Sequence, residues 1–193
     1  MAPKPGLREL KKARTRAAIQ REALRLFGER GYEATTVEQV AQAAEVAHTT
    51  VFRYFPTKED LVITDEADPE FFEALRNQPP ELTPIQTLRT AVRTMLVTLS
   101  SDDLAAGRER TVLILSVPAL RGAAFGNYIE TMRTVTAILA ERAGVGPDDV
   151  AVRTLTGAAF GVMLDIMLRW KDDPSLDLAQ ALDEALSTLD PTG

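Results

Sequence analysis

The chain reads as an all-α protein of about nine helices, with an N-terminal three-helix helix-turn-helix head and a larger C-terminal helical body. Three observations predict this. Ile19, Ala23, Leu26 and Phe27 recur at the spacing of one helix face, and similar stripes follow down the chain. No pair of segments reads as paired strands; TVLILSV at 111–117 is the one ambiguous run, and it is read as helix because its neighbours are helical and a lone strand has no partner. Charge is also polarised: the net charge is -6, yet residues 1–58 hold eleven Lys or Arg against six Glu, and the rest holds eleven against twenty-two acids. A basic end with an acidic body behind it suits a partner carrying phosphates.

The elements follow in order. Residues 1–13, with Pro3, Pro5 and Gly6, read as a flexible basic arm. The first helix carries Arg14, Arg16, Arg21 and Arg25 away from its apolar face and stops at Gly31. Thr36 followed three residues later by Gln39 is a capping box that opens a second helix, with Val37, Val40 and Ala41 inward and an end near Ala44. The third runs from Ala47 or His48 to Phe55, with Val46, Val51 and Phe55 turned toward Ile19, Phe27 and Val40. Helices this short need the long first helix as a wall, because nucleation is costly. Thr57 caps a fourth helix, expected from near Lys58 to Asn77 with a break at Asp68 and Pro69, and further helices are expected at 84–100, 103–116, 118–143, 147–171 and 175–189. The domain boundaries drawn from this are 14–60 for the head, 61–189 for the body and 190–193 for a tail.

The composition excludes several classes of chemistry. With no cysteine there is neither a disulfide nor a thiol nucleophile, and with one histidine there is no multi-histidine metal site. Asp65, Glu66 and Asp68 supply carboxylates, but no histidine base pair or glycine-rich phosphate loop completes an active site. An enzyme is therefore the weakest reading, and no cofactor is expected. MAPKPGLREL has no apolar run, and the later apolar segments are broken by charge before eighteen residues, so neither a signal peptide nor a membrane span is expected. A non-catalytic helical module for protein interaction remains a rival, since every body stripe could be core.

The third helix carries the chemistry. A helix fits the major groove, and helix-turn-helix units place their second helix there. Arg53 can donate two hydrogen bonds to guanine or a charge to phosphate, Thr50 can donate to phosphate, and Phe52 can meet a thymine methyl. His48 and Thr49 lie at the helix start near the bases, Tyr54 reaches the backbone from the flank, and Lys58 sits where a cation and free N–H groups hold a phosphate.

Residues 14–61 resemble the DNA-binding domain of the TetR family of bacterial transcriptional regulators, through FGERGYEATTVEQVA and TTVFRYFPTKEDL. The resemblance implies that Tyr32 packs at the end of the first helix, Thr36 caps the second, His48 to Tyr54 form the recognition surface and Lys58 grips phosphate. The DNA-binding set is therefore Thr36, His48, Thr49, Thr50, Phe52, Arg53, Tyr54 and Lys58. Where the family turn carries glycine, a hydrophobic residue and serine, this chain has Glu45, Val46 and Ala47. Glu45 lacks the easy left-handed conformation and Ala47 cannot cap, each at a cost of about 1 kcal/mol.

The resemblance also implies a cytoplasmic, chromosome-associated homodimer on palindromic operator DNA, most simply a repressor released by a small hydrophobic or amphipathic effector. Dimerisation is expected through the last two helices, from Leu155, Ala158, Ala159, Val162 and Ile166, with Gly157 and Gly161 permitting close approach, and from Leu178, Leu182 and Leu186. Candidate effector contacts are Arg89, Val92, Arg93, Met95, Leu96, Leu115, Leu120, Arg121, Phe125, Tyr128, Ile129, Met132 and Phe160. DEADPEFFEALRNQPPELTPIQTLR is similar to the subset of the family with an acyl-CoA-like ligand domain, which points to an acyl-CoA or fatty-acid-like effector; an aromatic or terpenoid one is the alternative. The fourth helix, joined without interruption to KEDLV, is the expected lever between ligand and head.

Overall fold

The computed structural model describes residues 6–64 and 68–190; the first five residues of the expected arm, Asp65 and Glu66, and the last three of the tail lie outside them. Among the described residues there are ten helices and no strand. They are α1 (Leu7–Arg30), α2 (Val37–Ala43), α3 (His48–Tyr54), α4 (Asp60–Ile63), α5 (Asp68–Arg76), α6 (Pro84–Val97), α7 (Ser101–Ser116), α8 (Pro118–Arg142), α9 (Val150–Asp172) and α10 (Leu178–Ser187). TVLILSV falls in α7 and the residue that follows it, as read from its neighbours.

The chain divides into two compact units, one comprising residues 1–64 with 113–124, the other 65–112 with 125–193. Beside the head span of 14–60 drawn from the sequence, twelve residues from the middle of the chain group with the head unit. The physical reason is their composition: Leu120 is fully buried in the head core, and Leu113, Ile114 and Val117 pack against that core. The chain thus passes between the units inside α7 and again inside α8.

In the head, α1 buries Ile19, Ala23, Leu26 and Phe27, the predicted stripe. It begins at Leu7, so residues 7–13 are its first two turns instead of part of an arm; no proline after Pro5 interrupts them. Gly31 ends it at φ 87°, where a side chain would be strained, and donates its N–H to the Phe27 carbonyl at 3.0 Å. Tyr32 is buried with its ring 5.0 Å from that of Phe27, and the buried Thr35 hydroxyl donates to the Gly31 carbonyl at 2.9 Å. The Thr36–Gln39 capping box is present in both directions. Val40, Ala41, Val51 and Phe55 complete the core.

The fourth helix departs most from expectation. Its N-cap is Glu59, with no side-chain bond, and the expected cap Thr57 lies two residues earlier, where it accepts the Asp60 N–H at 3.1 Å and donates its own N–H to the Asp60 carboxylate at 2.9 Å. The helix lasts four residues, because Thr64 turns to extended backbone and its carbonyl accepts Gln20 Nε2 at 2.8 Å. The expected break therefore comes at Thr64, before Asp68 and Pro69, and Asp68–Arg76 form a separate helix.

In the body, α5, α6, the second half of α8, α9 and α10 enclose one core that includes Leu75, Ile85, Leu88, Val92, Val135, Leu139, Phe160, Ile166, Leu182 and Leu186. Thr83, Asp149 and Asp177 cap α6, α9 and α10 through their side chains. Arg142 donates to the carbonyls of Arg76 and Pro79, each at 2.7 Å, and Arg108 donates to those of Trp170 and Lys171 at 3.0 and 2.8 Å, so two arginines close exposed helix ends. By length and composition α9 is apolar enough to match a membrane span, with a mean hydropathy of 1.5, although Arg153, Asp165 and Arg169 interrupt it well before eighteen residues, as the sequence led one to expect. Its Val152, Thr156, Ala159, Phe160, Ile166 and Trp170 are buried within the body.

Candidate nucleic-acid interface

The path to α3 is set by the turn before it. Glu45 holds φ 54°, its N–H donates to the Gln42 carbonyl at 3.2 Å, and the Val46 N–H reaches back to Ala41 at 3.0 Å. These two bonds close a Schellman turn, which normally favours glycine at the left-handed position. Ala47 then occupies the N-cap of α3 with no side-chain bond, and neither Thr49 nor a later helix start replaces it. The left-handed strain and the missing cap are both present.

Within α3, Val51 is fully buried and Phe55 follows it into the core, which leaves His48, Thr49, Phe52 and Arg53 exposed and Thr50 and Tyr54 half-buried. The exposure of Phe52, at 40%, is large for an aromatic on so small a core. The Arg53 guanidinium lies 5.2 Å from the centre of the Tyr54 ring, so the fork is held along the helix flank. His48 Nε2 lies 3.1 Å from a Glu38 carboxylate oxygen, and its ring meets Phe52 edge-on at 4.7 Å. Arg16 covers the Phe55 ring at 5.3 Å, a contact from α1 that periodicity did not disclose.

Thr36 and Lys58 are also engaged within the head. Thr36 Oγ1 accepts the Gln39 N–H at 3.3 Å as the cap of α2. Lys58 Nζ donates to the Tyr32 carbonyl at 2.6 Å and lies 4.1 Å from the Tyr32 ring centre. Its ammonium is tied to the loop after α1, where a carbonyl and two aromatic faces, those of Tyr32 and Phe27, receive it. Burial, with the Glu59 carboxylate beside it, pushes the Tyr32 phenol up.

The thirteen expected effector contacts are not one group. Leu115, Leu120 and Arg121 group with the head unit, and Leu120 is fully buried in the head core. Arg89 is engaged by Asp183 through two bonds of 2.6 and 2.7 Å, which holds the Asp183 carboxyl below the usual range. Val92, Leu96 and Phe160 are core. The Tyr128 hydroxyl donates to the Phe160 carbonyl, their rings are 5.1 Å apart, and burial raises this phenol to about 12. Ile129 is half-buried and Met95 and Met132 pack on the core edge, whereas Phe125 is 63% exposed and Arg93 is also exposed. The crease beside Arg89, Val92, Arg93 and Leu96 leaves no room even for a water-sized molecule.

The expected dimer residues also divide. Ala159, Ile166, Leu178, Leu182 and Leu186 belong to the body's own core, because α6, α9 and α10 pack together, and are corrected as partner contacts. Leu155 and Val162 are half-buried and Ala158 is exposed. The exposed line of α9 is instead Val150, Thr154, Gly157, Gly161, Leu164 and Leu168, alternately four and three residues apart. A Cβ added at Gly157 or Gly161 would meet nothing within 4 Å.

Residues 19–64 match the tetR family of bacterial regulatory proteins, and residues 82–192 match the MftR C-terminal domain. The chain is 34% identical over 198 residues to the HTH-type transcriptional regulator TcmR of Streptomyces glaucescens, across 97% of this chain and 88% of that one. Among solved structures it is similar to FadR of Thermus thermophilus, described as a TetR-family repressor in complex with lauroyl-CoA, at 25% identity and TM-score 0.58 over 90% of this chain and 92% of that one. SmeT, the repressor of the Stenotrophomonas maltophilia multidrug efflux pump SmeDEF, shares the fold at 20% identity and TM-score 0.61, over 90% and 87% of the two chains.

Proposed function

The chain belongs to the TetR family of bacterial transcriptional regulators, and from that premise we propose a homodimeric repressor that leaves an inverted-repeat operator when a small amphipathic molecule binds its body. Like its relatives it is a regulator of transcription and not an enzyme. The observation that carries the DNA reading is the division of α3: Val51 in a closed core, and His48, Thr49, Phe52 and Arg53 left to solvent. In the groove, Arg53 reads guanine, Phe52 meets a thymine methyl and Thr50 donates to a phosphate. The set of action is the cytoplasm, at the chromosome.

One short recognition helix reads few base pairs, so a two-fold pair is the economical reader. The exposed line of α9 supports that pairing, since a four-and-three spacing with an apolar residue at each end and glycines at its centre is what a close two-helix seam requires. The effector is an acyl-CoA or fatty-acid-like molecule, in keeping with the lauroyl-CoA held by the Thermus thermophilus relative. Met95, Met132, Met163 and Met167, half-buried around the body core, are adaptable walls for an acyl chain, and α7, which buries none of its residues, is the element that can give way. Because α7 and α8 supply residues 113–124 to the head, they replace the fourth helix as the connection through which the ligand acts. Only different affinities for the two states shift their populations.

Selection of bound fragments from random duplex DNA tests the reading. An enriched inverted repeat is expected, and lauroyl-CoA is expected to weaken binding to it; a pool with no twofold pattern rejects the DNA reading, and unchanged affinity with that ligand rejects the effector class.

A further inference from the structure

Glu38, in the first turn of α2, was not among the residues singled out by spacing, yet it is in direct contact with the recognition helix. Its carboxylate oxygen lies 3.1 Å from His48 Nε2, with the side chains 70% and 46% exposed. On the other side the imidazole stands edge-on to Phe52 at 4.7 Å. The only histidine of the chain, at the first position of α3, is thus held between an acid from α2 and an aromatic from the next turn of its own helix. Glu38 is itself fixed: its own backbone N–H, the Thr36 hydroxyl and His48 hold its carboxyl below the usual range.

A carboxylate only accepts, so the ring nitrogen facing it carries the hydrogen. In the neutral imidazole this leaves Nδ1 as the acceptor. The bases offer two complementary donors in the major groove, the N4 amino group of cytosine and the N6 amino group of adenine. We propose that Glu38 is a positioning residue for base readout, which fixes the tautomer and direction of His48 so that Nδ1 accepts from an exocyclic amino group at one position of each half-site. The proposal rests on α3 being the groove-entering helix. It also gives the acid a role at a surface otherwise suited to a polyanion: its charge is spent on the histidine instead of on excluding DNA.

The test uses the full chain and selection from random duplexes, with wild type, His48→Ala, Glu38→Ala and Glu38→Gln, each checked for folding by circular dichroism. Wild type should enrich an inverted repeat with adenine or cytosine preferred at one position of each half-site. His48→Ala and Glu38→Ala should each lower that preference by roughly three- to tenfold, the worth of one hydrogen bond, and leave the rest of the repeat intact. A variant carrying both Glu38→Ala and His48→Ala should lose no more than either single one, and a larger, additive loss overturns the proposal. Glu38→Gln should keep the preference, since its amide oxygen still accepts, while total affinity rises from the lost charge. A Glu38→Ala profile identical to wild type overturns the proposal, as does a Glu38→Gln profile that relaxes like Glu38→Ala, which assigns the effect to charge. A wild-type pool without any inverted repeat is a different failure, that of the DNA reading itself.

Discussion

On the head, the uncovered line of α3 carries His48, Thr49, Phe52 and Arg53; on the body, the uncovered line of α9 carries Val150, Gly157, Gly161, Leu164 and Leu168. Both lines lie on helices whose opposite faces are buried. The first offers donors, a cation and one aromatic, and suits a wet, anionic groove. The second offers methyl groups and bare backbone, and suits another helix. An exposed edge of Val150, Leu164 and Leu168 along one helix suits an apolar cover, whereas an exposed arginine is at home in water. The difference teaches that burial of one face says nothing of the partner of the other; side-chain chemistry decides that.

The comparison breaks most visibly at Leu164. Leu164→Glu puts a charge on the proposed seam, at a cost of about 3–5 kcal/mol when left unpaired there. Sedimentation equilibrium should then find monomers and operator titration a loss of well over tenfold, with the thermal midpoint of the protomer little changed. A dimer of unaltered strength would place the seam elsewhere.

On the head, Arg53→Ala should cost about 1–3 kcal/mol of operator affinity and relax the preference at its base. Lys58→Met sharpens the contrast, because its ammonium sits on the Tyr32 carbonyl. Urea unfolding should show a loss of about 1–2 kcal/mol, with the salt dependence of operator binding unchanged. A shallower salt dependence would return Lys58 to the phosphates.

A smaller effect is expected where the two units use the same turn. Gly144, at φ 69°, closes α8 with bonds from its own N–H to Glu141 and from Val145 to Ala140, the same pattern that Glu45 closes after α2. Glu45→Gly should stabilise by about 1 kcal/mol and Gly144→Ala destabilise by about as much, read from urea midpoints. The smallest effect concerns pH. Arg89 lowers the folded pKa of Asp183, so that pair contributes stability above the ordinary carboxylate range and loses it as pH falls through the depressed value. Asp183→Asn should be slightly less stable at neutral pH and decline less steeply on the acid side.

Much of the head was legible beforehand. The Ile19, Ala23, Leu26 and Phe27 stripe, the Thr36–Gln39 box and the stop at Gly31 depend on residues within a few turns of one another, and local geometry alone makes them. The exposed line of α3 was legible as a set of positions, but not as a set of free side chains. Lys58 meets Tyr32 across twenty-six residues and His48 meets Glu38 across a turn, and no periodicity reports such pairs. The one signal that pointed toward residues 113–124 was the apolar run TVLILSV, whose Leu113, Ile114 and Val117 pack half-buried against the head core.

By itself the order of residues determined an all-α chain, its caps and breaks, a cationic head on an acidic body, and a recognition helix with one apolar face, because helix formation and capping act over three or four positions. Tertiary structure alone decided that the fourth helix stops at Ile63, that α7 and α8 lend twelve residues to the head, and that α9 turns its leucine and glycine line outward. Those outcomes depend on which apolar faces meet across many tens of residues, and a stripe specifies that it must be covered without specifying by what.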